Sequence, residues 1–405
     1  MIGVVLLVHG NLYRAGQLAS HLADAGCAVV IHADKRSDRA RYRSLKESLG
    51  SHPNMRFAPQ RSCEWGRFSL VEASLDAVRL LLDTWPGVTH AVQLSGACLP
   101  LQPMAALRAH LAARPDTDFI EAIPVAKDPW VIGGLSAERY TLYHPFSWKR
   151  QRRLFDMSVK IQRALRIRRR LPDNLQPCIG SQWWCLSRAT LDAILGDPRL
   201  EAYARFFRQS WIPDETFFQT LATKHSTNID TTPLTFVRFD PQGKPFSFYD
   251  DHLDLLLGVD AFFARKIWPG AAQLYTTFLG AEPPATERTQ GRTGDVLKRL
   301  ARARSLRVKG RRGMLGPGRH PLNRKRQPQY QTARPYTVLD GVYEVLPSLR
   351  DGLNSDPRMR AHGALFGPGD ADFFDGSGMF DGNLPAKQGI RDYRPKQFLV
   401  NLLLY

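Results

Sequence analysis

The sequence predicts an α/β protein with a mostly parallel sheet, and three observations carry that expectation. Unbroken apolar runs at residues 4 to 8 and 28 to 31 suit parallel strands, because a strand covered on both faces has no polar alternation to keep. Between them Leu12, Ala15, Leu18, Ala19 and Leu22 recur at helical spacing, with Gly26 as a stop. Downstream, strand-like and helix-period segments keep alternating, which is the order of stacked β-α-β units.

Taken in order, the first run starts directly after Met1. It is too short for a membrane span and lacks a basic leader or a small-residue cleavage site, so it reads as a strand. The second run ends in His32-Ala33-Asp34-Lys35, and an acid just past the second strand of such a unit commonly meets the sugar or base of a nucleotide. Val8-His9-Gly10-Asn11 stands where a dinucleotide binder carries its glycine fingerprint, so NAD is not expected. Next come Glu64-Trp65-Gly66-Arg67-Phe68 and Ser69-Leu70-Val71-Glu72, the latter spaced as a capping box for a helix that buries Val71, Leu75, Val78 and Leu82. A strand over 89–94, a helix over 104–113 and a strand over 119–123 follow.

Two later stretches read as a site. Gly180-Ser181-Gln182-Trp183-Trp184-Cys185-Leu186-Ser187-Arg188 is an aromatic strand running into a Ser-started helix, fit to wall a sugar-sized pocket. Trp211-Ile212-Pro213-Asp214-Glu215-Thr216-Phe217-Phe218 sets adjacent carboxylates at the opening of an apolar helix. Acidic first turns are also ordinary helix chemistry, since they complement the positive end of the helix dipole.

The chain has 405 residues and a formal charge of +18, which calls for an acidic partner. The basic residues gather at Lys149, Arg150, Arg152, Arg153, at 163–170, and from Lys298 to Arg326. No interleaved aromatics accompany them, so nucleic acid is not expected; a solvated face or an anionic membrane surface fits better. Five cysteines, widely spaced and without a C-x-x-C pair, indicate neither a disulfide framework nor a zinc site and read as reduced cytosolic thiols. Residues 276–335, rich in Pro, Gly, Arg and Lys, read as a basic linker. Residues 336–405 read as a C-terminal region of unknown function, truncated or partner-covered at its apolar end.

Val8-His9, Ile31-His32-Ala33-Asp34, Trp65-Gly66, Leu94-Ser95-Gly96 with Pro100-Leu101, Gly180-Ser181-Gln182-Trp183, Pro213-Asp214-Glu215 and Phe263-Ala264-Arg265-Lys266 stand in the order and approximate spacing of one family. Over residues 1–275 the chain resembles the core-2/I-branching enzymes, glycosyltransferase family 14, which includes β-1,6-N-acetylglucosaminyltransferases and peptide O-xylosyltransferases. The resemblance implies a GT-A type, Rossmann-like catalytic domain, a UDP-sugar donor, a glycan or other hydroxyl acceptor, and inversion without a required metal or other cofactor. It implies Glu215 as the general base, with Asp214 holding the loop or the acceptor. Val8, Asp34 and Trp65 match positions around uracil and ribose, and Lys266 one that meets the pyrophosphate beside Arg265. Lys244 is the nearest match to a second family cation, with Arg238 in reserve; Glu121 matches an acceptor-binding carboxylate, and Trp183 or Trp184 is offered to a sugar face.

An inverting transfer needs one base for the attacking hydroxyl and positive charge at the departing diphosphate, from a metal or from protein cations. Asp116-Thr117-Asp118 and Asp370-Ala371-Asp372 are not taken as metal sites, the first because it precedes a strand, the second because it lies outside the catalytic region. Cys98 replaces a family aspartate and also suits a small buried core position. The expected setting is cytoplasmic, peripheral on the inner face of a membrane. A non-catalytic nucleotide-sugar or polyanion-binding protein is the alternative of another class, because fold alone does not guarantee turnover.

Overall fold

β1 (Ile2–Val8) is buried at every position, and so is β2 (Ala28–Ala33). They pair in parallel from Gly3 opposite Ala28 to Val8 opposite Ala33. The crossover between them is α1 (Leu12–Asp24), whose buried side includes Leu12, Ala15, Leu18, Ala19 and Leu22. Asn11 Oδ1 caps it by accepting from the Arg14 N–H at 3.1 Å. Gly26 turns the chain out of it at φ +79°, a conformation that strains residues with a Cβ.

The computed structural model describes residues 1–125, 135, 137–238, 245, 247–280, 348, 352–353 and 355–357. The chain divides into two units, Met1–Thr235 and Phe236–Tyr405. In the first, the order continues with α2 (Arg39–Leu49), β3 (Met55–Phe57), α3 (Ser69–Thr84), β4 (His90–Ser95), β5 (Cys98–Pro100) and α4 (Met104–Ala112). Then come β6 (Asp118–Phe119), β7 (Ile123–Pro124), α5 (Glu138–Thr141), α6 (Arg152–Ala164), β8 (Cys178–Ile179) and β9 (Cys185–Ser187). The unit closes with α7 (Arg188–Leu195), α8 (Leu200–Phe207), α9 (Phe217–His225) and β10 (Ile229–Asp230).

Its main sheet has seven strands in the order β10-β6-β9-β4-β1-β2-β3. Neighbours are parallel except where β9 meets β4 and β6. The α/β architecture with a mostly parallel sheet is thus as expected, and it is Rossmann-like: β1 has β2 on one side and β4 on the other. The strand order reverses there, and such sheets take ligands outside the carboxyl ends of the strands, here Val8 and Ser95. Val5, Leu7, Ala28 and Val30 pack on one face against α3, Trp184, Leu186 and the aromatic side of α9. The alternate residues Val4, Leu6, Val29 and Ile31 are just as buried, so both faces are covered, which is what the unbroken apolar runs require.

Two local expectations are corrected. The capping box at Ser69 does not form: Phe68 is the N-cap of α3, and Ser69 Oγ instead accepts the Glu64 N–H at 3.0 Å. Glu72 is turned toward Arg61 and Arg208. The strand expected over 119–123 is broken into β6 and β7, with Glu121 between them accepting the Ser181 N–H.

From β11 (Thr235–Val237), whose last two residues open the second unit, α10 (Leu253–Leu257), β12 (Phe263–Arg265) and α11 (Ala272–Leu279) follow in order, with β11 beside β12. Phe236 stacks on Phe248 at 5.6 Å, and Asp250 Oδ1 accepts the Leu274 N–H at 3.1 Å. The expected linker and C-terminal region, like Asp370 and Asp372, fall almost wholly outside the described residues. All five cysteines are free and buried. Among the described residues no helix is long and apolar enough to cross a membrane.

Candidate active site

Pro213–Glu215 forms a single 3-10 turn, and α9 begins only at Phe217, with Thr216 as N-cap and no acid in its first turn. The carboxylates therefore precede the first turn of that helix instead of lying in it. The turn is entered through Ile212, a buried β-branched residue held at φ 52°, ψ 54°. That conformation costs of the order of 1–3 kcal/mol and persists only where the surroundings impose it. Here they do: the Ile212 N–H is bound to Gly66 O at 3.2 Å, and the Glu215 N–H returns to Ile212 O at 3.2 Å.

Glu215 Oε2 is gripped by Arg139 Nη1 at 2.6 Å, with the arginine side chain 6% and the glutamate 33% exposed. Oε1 has no hydrogen-bond partner among the described residues. Arg139 is itself fixed, its Nε donating to Leu135 O at 3.0 Å and its guanidinium lying 5.6 Å from the centre of the Trp211 ring. Behind Glu215, its carbonyl accepts the Gly180 N–H at 3.0 Å, and the neighbouring Ser181 N–H donates to Glu121 Oε2 at 3.2 Å. Burial, opposed by that hydrogen bond and helped by the charge of Glu215, raises the Glu121 pKa. The two carboxyls are thus close enough to feel each other, one tied to a cation and the other to a backbone amide.

Asp214 points the other way. It is 7% exposed, its Oδ1 has no partner among the described residues, and it lines a narrow cleft with Leu7, Gln93 and Gln182. Burial, and secondly the charge of Glu215, lift its pKa from 3.8 to about 7. A carboxyl with a raised folded-state pKa binds its proton more tightly when folded, so wild-type stability falls as pH rises from about 4 to about 7 and then levels off. Asp214→Asn is expected to match the wild type near pH 4 and to exceed it at about pH 8, by at most about 4 kcal/mol. Denaturant titrations at both pH values check this; a difference independent of pH would contradict it.

The expected nucleoside residues lie at the carboxyl edge of the sheet. The Asp34 N–H donates to Val8 O at 2.8 Å, and the 3%-exposed Asp34 accepts both the Arg36 N–H and its guanidinium, the latter at 2.8 Å through Nη2. Trp65 is 41% exposed and so is not a core aromatic. It meets Trp148 and Trp211 edge-on, at 5.5 and 6.2 Å, with Lys149 Nζ 5.4 Å from its ring centre. Gly66 approaches the Trp211 indole so closely that a Cβ there would lie 3.2 Å from Nε1.

Other assignments change. Trp184 is 0% exposed and packs at 4.9 Å on Phe218 in the core, so it presents no face to a sugar; Trp183 is nearly enclosed at 9%. Cys98 is buried, its Sγ accepting the Ser95 N–H at 3.3 Å. Asp118 accepts the Ser187 N–H at 2.6 Å and the Thr190 hydroxyl at 2.5 Å, a structural use. His32 is buried, with Nε2 accepting the Arg61 N–H at 3.1 Å, and burial lowers its pKa. Arg265 and Lys266 belong to the second unit, at the end of β12, with Arg238 beside β11; Lys244 lies outside the described residues. Sequence reasoning missed Arg139, Trp148 and the role of Trp211. Arg139 stands 76 residues from its partner in a segment without apolar period, and nothing local marks it.

Residues 28–250 match the family described as Core-2/I-Branching enzyme, and residues 265–405 match a family of unknown function (DUF5927). Xylosyltransferase oxt of Drosophila melanogaster is 28% identical over 235 residues, 56% of this chain and 25% of that protein. Beta-1,3-galactosyl-O-glycosyl-glycoprotein beta-1,6-N-acetylglucosaminyltransferase 4 of Mus musculus is 23% identical over 228 residues, 54% of this chain and 46% of that protein. The match thus spans a quarter to less than half the length of these relatives. Among solved structures, the galactosyltransferase LgtC with donor and acceptor sugar analogs aligns over 70% of this chain and 98% of that one, at 9% identity and a TM-score of 0.32.

Proposed function

The chain belongs to the core-2/I-branching enzyme family, and from that premise we propose that it is an inverting glycosyltransferase moving N-acetylglucosamine or xylose from a UDP-sugar to a hydroxyl of a glycan or other acceptor. The observation that carries this reading is the Glu215 carboxylate, with Oε2 held by Arg139 at 2.6 Å and its carbonyl tied to Gly180, next to the Ser181 N–H that Glu121 accepts. The acceptor oxygen attacks the anomeric carbon while the bond from that carbon to UDP breaks, and the acceptor proton passes to Glu215 Oε1. Arg139 fixes which oxygen faces the acceptor. Glu121 meets the acceptor sugar, and Val8, Asp34 and Trp65 meet the nucleoside.

Charge on the departing diphosphate is balanced in this reading by Lys266, Arg265 and Lys244, without a metal or other cofactor. The relatives support both a β-1,6-N-acetylglucosaminyltransferase and a xylosyltransferase reading, the latter at the higher identity; a peptide O-xylosyltransferase-like activity is the alternative. The proposed setting is cytoplasmic. Lys266→Ala is expected to weaken UDP binding by roughly tenfold or more, since it removes a charge-assisted phosphate contact, and to leave uridine binding unchanged. Calorimetric titration with UDP and with uridine decides; unchanged UDP affinity would place the diphosphate elsewhere.

A further inference from the structure

Helix α6 has a buried side formed by Phe155, Val159 and Gln162. On another side Leu154, Met157, Ile161 and the C-cap residue Leu165 stand in the solvent, 38%, 51%, 49% and 67% exposed. Their spacing of three to four residues puts them on one stripe along the helix. Half of the large hydrophobics exposed among the described residues lie on this one element. Exposed Arg153 and Lys160 border the stripe, and exposed Lys149, Arg150, Arg166, Arg168 and Arg170 flank the helix at its two ends. The sole acid on α6, Asp156, is already paired with Arg152 Nε at 2.8 Å.

We propose that α6 is a membrane-docking helix that lies in the plane of an anionic bilayer, with Leu154, Met157, Ile161 and Leu165 below the headgroups and the basic residues among the lipid phosphates. An apolar stripe edged by Lys and Arg is the composition that partitions into such an interface, where area burial and charge attraction add. Charge complementarity selects this occupant over a second copy of the chain, which would bring another +18 against the same basic border. The site is close at hand. The Arg152 guanidinium lies 4.4 Å from the Trp148 ring centre, Trp148 stacks on Trp211 at 6.4 Å, and Trp211 supports Arg139. A docked α6 therefore brings the Glu215 side of the unit to the lipid surface.

The test is co-sedimentation of the full chain with phosphatidylcholine vesicles, with and without phosphatidylglycerol, at low and high salt. Wild type is expected to bind the anionic vesicles only, and less at high salt. Met157→Ser/Ile161→Ser/Leu165→Ser, all solvent-facing, is expected to keep the far-UV circular dichroism and Tm and to lose at least about tenfold in vesicle partitioning. Arg153→Glu/Lys160→Glu is expected to weaken it as well. Equal binding of the triple variant, or no wild-type binding at low salt, would overturn the proposal. So would a dimer seen by light scattering that the triple variant abolishes in the absence of vesicle binding. UDP titration of the same variants, expected to be unchanged, separates failure here from failure of the transferase reading.

Discussion

Glu215→Gln is expected to lower the rate of sugar transfer by roughly two to four orders of magnitude, the ordinary worth of a general base. The amide preserves size and its one oxygen can still accept from Arg139, but the NH2 then faces the acceptor and takes no proton. UDP affinity is expected to change little, because in the proposed mechanism the carboxylate meets the acceptor and not the nucleotide. The substitution also removes the charge that Arg139 meets at 2.6 Å, and an arginine 6% exposed and deprived of its partner costs stability. Tm must therefore be measured beside kcat: a variant of lower Tm but normal turnover would move the base elsewhere, with Asp214 the first residue to examine.

Gly180→Ala is the second large effect, and it acts through geometry alone. A Cβ at Gly180 would fall 1.7 Å from Glu121 O and 2.5 Å from its carbonyl carbon. Neither strand can yield easily, since Ile123 pairs with Ile179 and Pro124 with Cys178 just beyond. The methyl group has to part Glu121 from Gly180, and with Gly180 moves the N–H that holds Glu215 O at 3.0 Å. A backbone collision of this kind costs roughly 2–4 kcal/mol, or a fall in Tm of about 5–15 °C for a unit of this size. Activity is expected to fall further than stability, because Glu121 and Glu215, the proposed acceptor carboxylate and base, are displaced together. Gly87→Ala, where an added Cβ meets nothing within 4 Å, serves as the control. A stable, active Gly180→Ala would contradict the close packing of these segments.

Much of the fold was legible because burial on two faces leaves a plain mark. β1, β2 and α1 follow from unbroken runs and a helical period, and each was found within a few residues of its expected place. The order of the sheet was not legible: the antiparallel placement of β9 between β4 and β6 rests on long-range pairing that no local pattern encodes. The site divides in the same way. Two adjacent acids after a proline drew attention to Glu215, but the arginine that orients it comes from a different segment. Tryptophans were ambiguous for a physical reason. In a three-residue strand such as β9 the period is too short to say which side an adjacent ring takes, so Trp184 in the core and Trp65 on the surface look alike in sequence. The Ser69 capping box failed because Ser69 Oγ found the Glu64 N–H instead, a competing partner that only the folded loop supplies.

The most direct measurement of the central claim is UDP release by the purified chain from UDP-N-acetylglucosamine and UDP-xylose, with GDP- and CDP-sugars as controls, over a panel of glycan and serine-peptide acceptors in EDTA. The account predicts acceptor-stimulated release from at least one of the two UDP-sugars, undiminished by the chelator and reduced by Glu215→Gln by about a hundredfold or more. UDP-sugar binding without turnover on any acceptor, or turnover that vanishes in EDTA and returns with manganese, would contradict it.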